Sequence, residues 1–163
     1  MLLQGRFQES LPLLLKGHDD FRTTGAEIFR PFQLSALGEA YIQAVRFKEA
    51  HAALDEGLSL SAKNDDRVQE AELHRLKGEL LLAESPEQEG AAEERFTQAI
   101  ETARRQQSKA WELRSTMSLA RLWHRQGRGG EARRMLAAIH ARYTEGRTTP
   151  DLVEAGALLE ALA

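Results

Sequence analysis

LRSTMSLARLWHRQGRGGEARRMLAAI, residues 113–139, decides how the chain is read. Leu119, Ala120 and Trp123 share a helical face before the turn at Gly127 to Gly130, and Ala132, Leu136 and Ile139 share one after it. Apolar residues three and four apart line one side of a helix. The stretch therefore predicts two helices folded back on each other, with small residues where the backbones must approach.

The same arrangement recurs upstream. The turns Gly5-Arg6-Phe7-Gln8-Glu9-Ser10, Val45-Arg46-Phe47-Lys48-Glu49-Ala50 and Gly127-Arg128-Gly129-Gly130-Glu131-Ala132 align. With Ala92 of the intervening unit, the closing small residues Ser10, Ala50, Ala92 and Ala132 lie 40, 42 and 40 positions apart. A fixed spacing of this size marks a stack of similar units, each unable to bury its apolar face alone.

Between these anchors, residues 6–17 read as a helix ending near Gly17, followed by a polar loop at His18 to Gly25. A long helix is expected from Thr24 to Val45, kinked at Pro31, then a second from Phe47 to Ala62. Asp66 and Gln69 have the spacing of a capping box ahead of a helix over 67–84. Ser85-Pro86 starts the next, to about Gln106. Ser108 is expected to cap the helix of the opening stretch, Gly129-Gly130 to break it from one ending near Tyr143, and Thr149-Pro150-Asp151 to begin the last. The predicted fold is all-α, a single domain over 1–163. It divides into a half-repeat at 1–22, repeats at about 24–62, 66–106 and 108–143, and a capping helix at 149–162.

Composition agrees with helix: Ala, Leu, Glu, Arg and Gln dominate, and there are four prolines and no cysteine in 163 residues. Disulfides, zinc–thiolate sites and thiol catalysis are thereby excluded. No apolar run is long enough to span a bilayer, and no signal peptide opens the chain, so a cytoplasmic setting is expected. The net charge of −3 conceals a split: −8 over residues 1–103, +8 over 104–147 and −3 over the last sixteen.

The repeat resembles the tetratricopeptide family. Leu34, Leu37-Gly38, Tyr41, Ala50, Leu54 and Gly57 fill the family's positions in one unit. His74, Lys77-Gly78, Leu81, Ala92, Phe96 and Ala99 fill them in the next, and Thr116, Leu119-Ala120, Trp123, Ala132, Leu136 and Ile139 in the third. The resemblance implies a right-handed superhelical solenoid of hairpins. A narrower likeness runs through Arg30-Pro31-Phe32, residues 71–81, Ala99 to Arg105, Trp111 to Arg114, Ser118 to Leu122 and the closing Thr149-Pro150-Asp151-Leu152. It is similar to the C-terminal repeat region of bacterial signalling ATPases and class III adenylate or guanylate cyclases that carry AAA/STAND-type ATPase domains. That likeness implies a fragment of a larger signalling protein. The chain has no Gly-x-x-x-x-Gly-Lys-Ser/Thr loop, so nucleotide hydrolysis is not carried over.

In the tetratricopeptide family the first helix of each hairpin lines a concave groove. By position, the candidate partner-binding residues are Phe32 and Glu39, then Glu72, Arg75 and Glu79, then Arg114, Met117, Arg121, His124 and Arg125. Arg114, Arg121 and Arg125 share a stripe that offers a basic wall to a carboxylate or acidic peptide, unless Glu72 and Glu79 already neutralise it. Ser35 and Glu39 stand where a carboxylate clamp needs Lys and Asn, which argues against chaperone-tail binding. The five histidines form no metal motif: His51 and Asp55 are one turn apart without further ligands. His74 is expected to be packed and hydrogen-bonded. Catalysis, cofactors and metals are not expected. The expected function is a non-catalytic protein–protein interaction or regulatory scaffold. Its partner is a protein or peptide, or upstream domains of its own full-length chain. Self-association as a homodimer, motivated by Leu2, Leu3, Phe7 and the charge split, is the alternative. Nucleic-acid binding through residues 104–147 ranks third, because Trp123 reads as core.

Overall fold

Left-handed turns and tight caps fold this chain back on itself, and they determine which helices become neighbours. The computed structural model describes residues 7–25, 27, 29–64 and 67–163. Among them are eight α-helices and no strand: α1 (Phe7–Thr23), α2 (Arg30–Gln43), α3 (Phe47–Lys63), α4 (Glu70–Glu84), α5 (Glu89–Arg105), α6 (Lys109–Arg125), α7 (Gly129–His140) and α8 (Pro150–Ala161). The turns after α2, α5 and α6 are built alike. Val45, Gln107 and Gly127 adopt φ of 58°, 55° and 76°. The following N–H reaches back to the last helical turn: Arg46 to the Tyr41 carbonyl at 2.9 Å, Ser108 to Ala103 at 2.9 Å and Arg128 to Trp123 at 2.8 Å. These bonds satisfy carbonyls that a helix end leaves bare. The α4–α5 turn differs. Ser85 is extended, its Oγ accepts the Glu87 N–H at 3.2 Å, and a 3-10 turn over Pro86–Gln88 leads into α5.

The hairpins α2–α3, α4–α5 and α6–α7 close on small residues. The Cα of Gly38 faces Leu54 and that of Gly78 faces the Phe96 ring so closely that an added Cβ would lie 2.4 Å and 2.5 Å from them. Ala50, Ala92 and Ala132, the aligned small residues, are fully buried. Leu34, Leu37, Leu54, Leu73, Leu76 and Leu80 form a first core under α2 to α4. Phe96, Ile100, Leu119 and Leu122 join α5 to α6, and Leu113, Met117, Leu136, Leu152 and Leu162 bind α6, α7 and α8. The even-numbered helices also touch in series: α2 with α4, α4 with α6 and α6 with α8.

Several expected boundaries move. α1 does not end at Gly17; it continues to Thr23, because an interior glycine with open space around it weakens a helix without stopping it. Pro31 does not kink a long helix. It sits in the first turn of α2, where its missing N–H is no loss. α4 begins at Glu70. Gly127, rather than Gly129-Gly130, ends α6, and α7 starts at Gly129 and stops at His140. Ser108 and Thr149 occupy cap positions without a side-chain cap bond. Trp123 is partly buried at the junction of two clusters, its Nε1 donating to Glu93 at 2.8 Å. Leu2, Leu3, Asp66 and the side chain of Phe7 lie outside the described residues.

Candidate functional site

The facing sides of α2, α4, α6 and α8 meet at a polar cleft of about 170 Å³, lined by Glu39, Arg75, Arg114, Met117, Ser118, Arg121, Asp151 and Glu154. Its floor is an ion network. Glu72 and Arg75, one turn apart on α4, are both buried. Arg75 grips the carboxylate with two parallel bonds, Nε to Oε2 at 2.7 Å and Nη2 to Oε1 at 2.8 Å. Arg114 from α6 adds a contact to Oε1 at 3.1 Å. Arg75 Nη1 lies 3.3 Å from Glu79 Oε1, which also accepts the Ser118 hydroxyl at 2.6 Å. Burial alone would raise the Glu72 carboxyl, but Arg75 and Arg114 outweigh it and hold the group below the usual carboxylate range. Burial would likewise lower Arg75, and Glu72 and Glu79 overcome it. Fork-on-fork geometry with every charge partnered is what allows such groups away from water.

The rim is looser. Arg121 Nη2 donates to Glu154 Oε1 at 2.6 Å, with 38% and 61% of the two side chains exposed, and Arg114 Nε stands 4.0 Å from Asp151. Exposed pairs of this kind contribute at most about 1 kcal/mol. The basic stripe is therefore not free. Glu72 occupies Arg114, and Glu154 occupies Arg121.

Of the other candidates, Met117 is buried and lines the cleft floor. His124 and Arg125 are exposed at the end of α6, and Arg125 forms no ion pair with a described residue. Phe32, 55% exposed, lines a separate apolar cleft with Leu13, Leu14 and Leu37 between α1 and α2. Sequence reasoning missed Ser118, Asp151 and Glu154. Ser118 lies on the named helix α6, whereas α8 was read only as a cap and not as a further wall; the Thr149-Pro150 helix start was the available signal.

Elsewhere, His51 Nε2 lies 3.0 Å from Glu84, and Asp55 bonds Lys77, so those two side chains face different partners. His74 is buried as expected, but its Nδ1 has no hydrogen-bond partner. Burial first, then the cations Arg95, Lys77 and Arg105, depress its pKa from 6.5 to about 4. No helix among the described residues is long and apolar enough to cross a membrane. Compared with models of known protein families and with curated proteins, the sequence matches none.

Proposed function

We propose that the protein is a non-catalytic interaction module, a tetratricopeptide-like superhelical stack of hairpins that holds a partner peptide or domain along the face of α2, α4, α6 and α8. The observation that carries this reading is the two-level cleft: a buried Glu72–Arg75–Arg114 floor beneath an exposed Arg121–Glu154 pair. The floor fixes the spacing of α4 and α6. The rim pair opens at little cost, and a partner carboxylate can then take Arg121 while a partner cation takes Glu154 and Asp151. A segment carrying both charge signs thus fits better than the purely acidic peptide that a bare arginine wall would favour. The resemblance to the repeat regions of bacterial signalling ATPases supports a cytoplasmic scaffold whose partner is a neighbouring domain of a longer chain.

Peptide display against the purified protein tests this directly. Selected peptides should carry acidic and basic residues and lose about tenfold in affinity with Arg121→Glu, while melting stays unchanged. Failure to enrich any peptide, or indifference of all of them to Arg121→Glu, would overturn the groove reading.

Self-association remains the second reading, and one observation favours it: Leu13, Phe29 and Phe32 expose 71%, 60% and 55% of their surface on and between α1 and α2. Nucleic-acid binding gains no such support. Arg128 is engaged by Glu93 and Glu131, and Trp123 packs into the core rather than standing as an exposed stacking platform.

A further inference from the structure

A larger pocket of about 440 Å³ lies outside the groove, where α5 stops, α6 starts and α7 has just ended. Its lining is Arg104, Gln107, Lys109, Glu112 and Arg142. Glu112 is buried, only 3% exposed, and accepts two charge-assisted bonds, from Arg104 Nε at 2.8 Å and Arg142 Nη1 at 2.6 Å. A carboxylate so far from water needs such partners, and in taking them it pins two guanidinium groups that arrive from different helices. Each arginine spends one donor on Glu112. Their side chains stay 58% and 50% exposed, so the remaining N–H groups of both forks are left at the pocket mouth. Lys109, the first residue of α6, adds an ammonium that pairs with no described carboxylate. Ser108 makes no side-chain cap, so the partial positive charge of the α6 N-terminus stands beside these cations.

We propose that this pocket binds a phosphorylated small molecule. Three cations against one carboxylate leave a surplus of two positive charges among the lining side chains, which a phosphate dianion balances and a monocarboxylate does not. Two forks and an ammonium match the several acceptor oxygens of a phosphate. The volume falls in the range of about 300–1,000 Å³ typical of small-ligand sites. The groove cleft is the contrast: its lining holds three arginines and three carboxylates, so no positive surplus remains, and each arginine is already engaged by a carboxylate.

Pyrophosphate titrated into isotopically labelled protein at low salt is the test. Saturable amide shifts should centre on Gln107 to Glu112 and Arg142, and Lys109→Gln should weaken Kd about tenfold or more. Arg142→Gln should do the same, with its melting temperature measured alongside because it also strips a partner from Glu112. Lys109 holds no such structural pair, so its variant reads binding alone. Arg125→Gln, about 24 Å away at the far end of α6, should leave Kd unchanged. Shifts scattered over every basic surface, or equal losses with Lys109→Gln and Arg125→Gln, would overturn the site. Displacement of pyrophosphate by a DNA duplex with steep salt dependence would overturn the small-molecule assignment.

Discussion

His74 shows how one side chain can carry a pH dependence for the whole protein. It is 6% exposed and its Nδ1 is without a partner. Burial disfavours the charged imidazolium, and Arg95, Lys77 and Arg105 add repulsion, so the folded pKa falls to about 4 from 6.5. The unfolded chain therefore binds the proton first as pH drops. Stability from the neutral histidine is fully present above pH 6.5 and is lost as pH falls toward 4, on the order of 2 kcal/mol between pH 7.5 and 5. Urea midpoints across that window should slope steeply for the wild type and much less for His74→Leu, which fills a similar volume without titrating. Parallel profiles would show that the folded protein accommodates the charged form. Glu72 acts lower on the scale. Its carboxyl is depressed, so its stabilisation persists above the unfolded pKa and disappears only as pH falls below about 4.5, outside the histidine window. The sequence placed His74 on an inner face and allowed Glu72 to neutralise the arginine stripe, but the burial of Glu72 and the bare Nδ1 of His74 were not legible in it. Burial of Glu72 and Arg75 depends on α6 closing over α4, and Arg114 is 42 residues away from Glu72 in the chain.

At the level of helices the sequence was clearest where turn chemistry and periodicity agreed. α3, α6 and α8 begin or end within a residue or two of expectation, because Phe47, Gly127 and Thr149-Pro150 follow or form strong punctuation. Ambiguity came from residues with two legitimate places. Proline suits the first turn of a helix or kinks its interior, and Pro31 takes the former; glycine ends a helix or is tolerated inside it, and Gly17 takes the latter. Glycines also separate by what lies opposite them. At Gly78 an added Cβ would meet three Phe96 ring atoms at 2.5–2.9 Å, and Phe96 is fully buried. Overpacking costs about 1–3 kcal/mol, more than the gain of about 1 kcal/mol in helix propensity, so Gly78→Ala should destabilise. Gly17→Ala has nothing within 4 Å and should stabilise. Thermal melts of the two variants should move in opposite directions; a rise for Gly78→Ala would mean that Phe96 has room to withdraw.

Among the described residues, each helix packs against helices one or two places away in the chain and no further. The charge split, read from the sequence as an outward polarity, is partly consumed inside this arrangement. Glu72 of the acidic half holds Arg114 of the basic half, Glu93 holds Arg128 at 3.0 Å, and Glu89 accepts from Gln126 at 3.0 Å. Those pairs stitch α4 and α5 to α6 and the start of α7. At the far end α8 is attached through Leu152, Ala155 and Leu162 to Leu113, Met117, Leu136 and Ile139, and it carries Asp151 and Glu154 to the cleft. Deleting residues 149–163 should therefore remove at least about 3 kcal/mol of burial from Leu152 and Leu162 alone and bare the α6–α7 face. Because contacts are local, the loss should be local too: amides of α6 and α7 should exchange faster, while α2 to α4, held by their own cluster, keep their protection. Arg121, freed of Glu154, should at the same time bind acidic peptides that the intact protein ignores, since its competitor is gone. Hydrogen exchange on the truncated chain separates the two possibilities. Loss confined to α6 and α7 means that the stack is coupled from neighbour to neighbour, and uniform loss from α1 to α7 would mean that the three core clusters fold as one unit.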